Sequence, residues 1–182
     1  MPGSSLNDKG DLTCPGCIVR NQQGYSISLA HFQQGVDKLM AKEGELPTLI
    51  LSGGEPTLHP QFFEFIDYCL RGPHAGRIKR VLISTHGKKL ARDRRFAEKF
   101  KASGAYASLQ FDTLKPGVYP KLRGVELIDQ KMKAIEVIRE LDIPTVLVPT
   151  ISKGDNSEEL GDLINFGIEL PQCSSIVIQP MA

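Results

Sequence analysis

The chain has 182 residues, 41% hydrophobic and 24% charged, with 17 Gly and 12 Pro, the make-up of one domain with a single core. Twenty-two Lys and Arg against 21 Asp and Glu leave a formal net charge of +1, so no global field recruits nucleic acid or an anionic membrane. No apolar run approaches the roughly 20 residues a bilayer-spanning helix needs, and 1–9 lacks the apolar stretch of a secretory signal, so the cytoplasm is the expected compartment.

Four cysteines are too few for a disulfide scaffold, and two of them form Cys14-Pro15-Gly16-Cys17 ahead of the first clear helix. That helix places Leu29, Phe32, Val36, Leu39 and Met40 on one face, with Ser28 to cap it and Gly44 to end it. A strand over Thr48 to Leu51 follows, then Gly53-Gly54-Glu55-Pro56, then a helix started by Thr57 or His59 with Pro60 in its first turn and Phe62, Phe63, Phe65 and Ile66 inward. Further strands are predicted at Arg80 to Ser84, Ala105 to Phe111, Pro144 to Thr150 and Ser174 to Gln179. Between them lie helices at Asp93 to Ser103, stopped by Gly104, at Asp129 to Leu141 with Met132, Ile135 and Ile138 on one face, and at Asn156 to Leu170. The last opens with Asn156 and Glu159 at capping-box spacing and repeats Leu160, Leu163, Ile164 and Ile168.

Helices alternating with short apolar strands predict an α/β fold with a parallel sheet and right-handed crossovers, open or curled into a barrel. Ligands of such sheets bind at the C-terminal ends of the strands. The candidates are therefore Ser52 to Glu55, Ser84 to Gly87, Gln110 to Asp112, Thr150 and Gln179. The chain stops within three residues of a strand, which reads as a fragment of something longer.

Two glycines after a strand allow a sharp turn and close approach to a ligand, and Glu55 offers a carboxylate to a ligand ammonium; the plainer reading is a Gly-rich turn with a solvated Glu. Cys14 and Cys17 read as half of a zinc site, a redox pair, part of an iron-sulfur ligand set, or an unused reduced pair. The remaining thiols, Cys69 and Cys173, fall in a core-facing helix and just before a strand.

Together, the cysteine pair and the Gly-Gly-Glu-Pro-Thr segment about 35 residues later resemble the radical S-adenosylmethionine (radical SAM) superfamily, over nearly the whole chain. The phrases around Leu51 to Phe62, Leu109 to Asp112, Lys121 to Gly124 and Ile178 to Pro180 are similar to the subgroup of tetraether lipid synthases and pterin-methylating enzymes. The resemblance implies a partial (β/α)6 TIM-like barrel, its first strand a degenerate one near Ser4 to Asn7, with residues 1–182 forming a core domain. It implies a [4Fe-4S] cluster ligated by Cys14 and Cys17, and reductive cleavage of S-adenosylmethionine to a 5'-deoxyadenosyl radical that activates a C–H bond of a lipid or pterin-like substrate. Gly53, Gly54 and Glu55, with Pro56 after them, would hold the methionine moiety, and Ser84, Thr85, Gln110, Asp112, Thr150 and Gln179 the rest of the cofactor. The family cluster loop reads Cys-x3-Cys-x2-Cys, and four residues before Cys14 this chain has Gly10, which offers no ligand. The competing reading is a cluster-less, non-catalytic domain that binds S-adenosylmethionine or a protein.

Ten of the 22 basic residues lie between Arg77 and Lys101 against two acids, a solvated helix face or a docking face for a flavodoxin or ferredoxin. Aromatics are not interleaved among these charges, which argues against a single-stranded nucleic-acid groove. His31 and His74 read as structural or exposed, His59 as a helix cap, and His86 as a strand-end residue. Lys153 to Asn156 reads as a turn into a helix.

Overall fold

Ser28 and Gly44 delimit the first helix as their chemistry requires. In the computed structural model, which describes Leu6, Asp8, Leu12 and 24–181, Ser28 Oγ accepts from His31 N–H, and α1 (Leu29–Glu43) ends where Gly44 takes a φ of +74°. Then follow β1 (Leu49–Leu51), a 3-10 turn (Pro56–Leu58), α2 (Phe62–Arg71), β2 (Val81–Thr85), α3 (Lys88–Arg92), α4 (Arg94–Ser103), β3 (Tyr106–Gln110), α5 (Tyr119–Arg123) and α6 (Ile128–Leu141). The chain closes with β4 (Thr145–Val148), β5 (Thr150–Ser152), a 3-10 turn (Ser157–Glu159), α7 (Leu160–Glu169), β6 (Cys173–Ile176) and β7 (Gln179–Met181).

Five strands pair in parallel in the order β1-β2-β3-β4-β6, the expected α/β sheet, and it is the wall of a partial TIM-like barrel. Leu6 lies alongside its first strand: its N–H donates to Ser52 O at 2.7 Å, and its carbonyl accepts from Ile27 N–H at 3.0 Å. The rest of the predicted first strand lies outside the described residues. Side chains alternate between the two faces. Leu51, Ile83, Ala107 and Leu109 are fully buried against a helix layer that includes Phe65, Phe100 and Ile138. On the other face, Ser84 lies beside Ser108, Val146 and Ser175 in register, and Ser84 and Ile50 remain exposed. No helix among the described residues is long and apolar enough to cross a membrane.

Several local expectations are corrected. The strand predicted from Pro144 to Thr150 is two, β4 and β5, because Pro149 between them has no N–H for the ladder. The strand predicted from Ser174 to Gln179 also divides, into β6 and β7, following its split partner, and β7 pairs with β5 in a separate two-stranded sheet. Neither Thr57 nor His59 starts α2. Glu55 caps the 3-10 turn, Pro56 fills its first position, and α2 begins after Gln61. Met132 and Ile168 are exposed, at 38% and 74%, so the buried stripe of α6 is Lys131, Ala134, Ile135, Val137 and Ile138, and that of α7 is Leu163 and Gly167. The capping box at Asn156 and Glu159 does not form, because both side chains bond elsewhere.

Candidate functional site

The turn after β1 turns back on itself at Gly53, whose φ of +148° a side chain would resist, and it delivers Glu55 into the interior, 1% exposed. There the carboxylate meets donors from two elements. Oε1 accepts from Thr57 Oγ1 at 2.7 Å, Thr57 N–H at 3.2 Å and Thr85 Oγ1 at 2.7 Å. Oε2 accepts from His86 N–H at 2.9 Å and lies 3.1 Å from His86 Nε2. His86 Nδ1 accepts from Lys88 N–H at 3.1 Å, so the ring proton belongs on Nε2, facing Glu55. A buried carboxylate is stable only with such partners, and these join the end of β1 to the end of β2.

A second network closes the ends of β3 and β4. Asp112, fully buried, accepts from Arg123 Nε and Nη2 at 2.8 Å each and from Thr150 N–H at 2.8 Å. Arg123 also donates to Thr150 Oγ1 at 2.8 Å, and the Gln110 amide oxygen, turned toward the guanidinium, accepts from it at 2.9 Å. The bidentate fork explains why an arginine stands there. Tyr119 Oη accepts from Asp112 N–H at 3.2 Å, and burial first, then the Asp112 charge, pushes its phenol up. Asn156 Nδ2 donates to the carbonyls of Asp112 and Thr150, while Glu159 accepts from Thr113 Oγ1 and Leu114 N–H. These bonds are why Asn156 and Glu159 do not cap their helix.

Glu55, Pro56, Thr85, Gln110, Asp112 and Thr150 therefore gather at one end of the sheet, the end where parallel sheets bind ligands. Gly53 and Gly54 lie half-buried on the turn that leads in, and Ser84 sits on the open face one residue before Thr85. Gln179 is exposed beside Thr150, its N–H donating to Pro149 O at 2.9 Å. Glu55 is not a solvated turn residue, as its burial shows. His59 is buried, with Nδ1 accepting from Gln61 N–H and Nε2 against Ser26 Oγ at 2.8 Å and Ile27 O at 3.1 Å, which ties the segment before α1 to the turn after β1. Two of the residues that build the site, Arg123 and Lys131, are not evident as functional from the sequence, although Arg123 lies within the Lys121 to Gly124 segment. The signal for Lys131 was a lysine in register with Ala134, Ile135 and Ile138 on a buried helix face.

Gly10, Cys14 and Cys17 lie outside the described residues. The other two cysteines lie toward the N-terminal ends of the strands, away from the Glu55 and Arg123 networks. Cys69 is fully buried near the end of α2, where Arg71 reaches Ala102 O just before β3, and burial pushes its thiol up to about 12. Cys173 opens β6 opposite Thr145, the first residue of β4. Among the described residues no group of three or more His, Cys, Asp or Glu side chains is arranged to hold a metal ion. The chain thus offers two of the three thiolates that the superfamily's cluster takes, and the donor set does not fit it in full.

Basic residues from Arg77 to Lys101 are largely engaged locally. Arg77 donates to the carbonyls of Gly44 and Met40, Lys99 lies 4.2 Å over the Phe63 ring, and Lys89 reaches Thr57 O at 3.0 Å.

Comparison with known proteins places these features. The family model described as the radical SAM superfamily matches residues 7–167. The chain is 28% identical over 169 residues to 7,8-dihydro-6-hydroxymethylpterin dimethyltransferase of Methanocaldococcus jannaschii, covering 90% of this chain and 32% of that one. It is 34% identical over 126 residues to AdoMet-dependent heme synthase of Methanosarcina barkeri, covering 68% of this chain and 34% of that one, so it spans about a third of each relative. Among solved structures, Streptococcus suis SuiB bound to S-adenosylmethionine superposes with a TM-score of 0.76 at 19% identity, over 99% of this chain and 40% of that one.

Proposed function

Because the chain belongs to the radical SAM superfamily, we propose that it is the core of a radical SAM enzyme and that the polar ends of β1 to β4 hold S-adenosylmethionine. The observation that carries this reading is the pair of buried charged networks, around Glu55 and around Arg123, set side by side at the ligand-binding end of a parallel sheet. Gly53 and Gly54 offer main-chain groups to the methionine moiety. Glu55 and Thr85 fix that turn, since their side chains are bonded to each other. Ser84, Gln110, Asp112 and Thr150, with Gln179 at the rim, frame the rest of the cofactor. When bound, the superfamily's [4Fe-4S] cluster supplies the electron that cleaves S-adenosylmethionine. In this chain Cys14 and Cys17 would hold it, and Gly10 leaves the set one thiolate short.

Of the two substrate classes, lipid and pterin-like, likeness to a pterin dimethyltransferase supports the pterin-like one. Exposed Arg92 and Arg95, in the basic segment from Arg77 to Lys101, offer an acidic flavodoxin or ferredoxin a place to dock as electron donor. Anaerobic iron-sulfide reconstitution of the chain and of Gly10→Cys, read by iron, sulfide, the EPR of the reduced cluster and S-adenosylmethionine binding, tests the reading. The expected result is a cluster in Gly10→Cys whose spectrum shifts with S-adenosylmethionine. A responsive cluster in the unaltered chain would mean that a non-cysteine third ligand completes the set. S-adenosylmethionine binding with no cluster in either would favour a cluster-less binding domain, and no binding at all would overturn the assignment of the pocket.

A further inference from the structure

Parallel pairing between β2 and β3 runs to Thr85 opposite Leu109 and stops there, although His86 and Gln110 come next on each strand. At that step a side chain from α6 takes over. Lys131 is 1% exposed, and its Nζ donates to His86 O at 2.7 Å and to Gln110 O at 2.6 Å. A buried ammonium must be met by acceptors, and these two are main-chain carbonyls from neighbouring strand ends. Tyr119 flanks the ammonium, its ring centroid 5.8 Å away, and Ala134, one turn on, packs so closely beneath Gly87 that a Cβ on Gly87 would lie 3.3 Å from it and 2.6 Å from Leu109. The peptide groups of His86 are thus held from both sides, N–H by the Glu55 carboxylate and C=O by the Lys131 ammonium. Through Gln110, whose amide faces Arg123, the same ammonium reaches the second network.

We propose that Lys131 is a positioning residue of the strand-end pocket: it holds one carbonyl from the end of β2 and one from the end of β3, and so sets the spacing at which the Glu55 and Arg123 networks face a ligand. The proposal rests on the reading of that pocket as the S-adenosylmethionine site. It is tested on the full chain with Lys131→Met, Lys131→Arg and, as a packing control on the same helix, Val137→Ala. Lys131→Met is expected to weaken S-adenosylmethionine binding about tenfold or more, as loss of an outer supporting residue does. Val137→Ala, with a comparable fall in melting temperature, should leave binding within about twofold, and Lys131→Arg should restore part of it. Amide exchange gives a readout that needs no ligand: Lys131→Met should speed exchange at Gly87 and Asp112 more than at Leu147, and Val137→Ala should not. Binding by Lys131→Met equal to that of the unaltered chain, or an equal loss in Val137→Ala, would overturn the role. If the unaltered chain binds no S-adenosylmethionine, the pocket assignment fails, and the exchange pattern alone decides whether Lys131 spaces the strand ends.

Discussion

The two ends of the one parallel sheet are built from opposite materials. At the C-terminal ends of the strands, Glu55, Asp112, Lys131 and Glu159 are all at most 2% exposed, and each is held by partners from another element. At the N-terminal ends, the residues that lead into the strands, Ile78, Ala105, Ile143 and Leu170, are buried and apolar. The charges nearby, such as Lys79 with Glu45 and Lys101 with Asp142, stay in water. Burying a charge is unfavourable unless it is paired and hydrogen-bonded, so an end closed for stability alone has no need of it. Concentration of buried charge at one end is what the proposed ligand pocket would require, and the apolar end shows nothing like it.

Substitutions that respect or violate this division sharpen it. The largest effect is expected from Arg123→Met, which leaves Asp112 buried without its guanidinium: a loss of about 3–5 kcal/mol in unfolding free energy by urea titration, with loss of S-adenosylmethionine binding. Ile78→Val at the other end should cost about 1 kcal/mol and leave binding unchanged; a change in affinity there would blur the distinction between the ends. Cys69 gives a pH test of the apolar end. Its thiol titrates near 9 in an open chain and about 12 in the fold, so the unfolded chain releases the proton first. Stability is therefore expected to be unaffected by this group below pH 9 and to fall as pH rises from 9 toward 12. Cys69→Ala should flatten that slope, measured as melting temperature against pH relative to the unaltered chain. The smallest effect is expected from Asp142→Asn, an exposed residue at φ +53°, a conformation that Asn tolerates as well as Asp does. Its denaturation midpoint should match that of the unaltered chain.

Much of the architecture was legible because it is written locally. Ser28, Gly44 and Gly104 bound their helices by capping chemistry that involves residues within four positions, and each does so in the structure. The loop after β1 was legible for the same reason, since its glycines and Glu55 are contiguous. What stayed hidden depends on contacts between distant residues. Arg123 reaches Asp112 only because α5, five residues long and too short to show periodicity, folds back under the end of β3. Asn156 and Glu159 have the spacing of a capping box, yet bonds to Asp112, Thr113 and Leu114, more than 40 residues away, claim both side chains. Apolarity alone puts Met132 on the buried face of α6, whereas the neighbouring lysine occupies it because two carbonyls wait there.

Hydrogen exchange with and without S-adenosylmethionine tests the division between the two ends most directly. Protection by the ligand is expected at Gly54, His86, Asp112 and Thr150, with no change at Cys69, Ile78, Ala105 and Ile143. Protection at the N-terminal ends of the strands, or none anywhere at saturating ligand, would contradict the assignment of the charged end as the S-adenosylmethionine pocket.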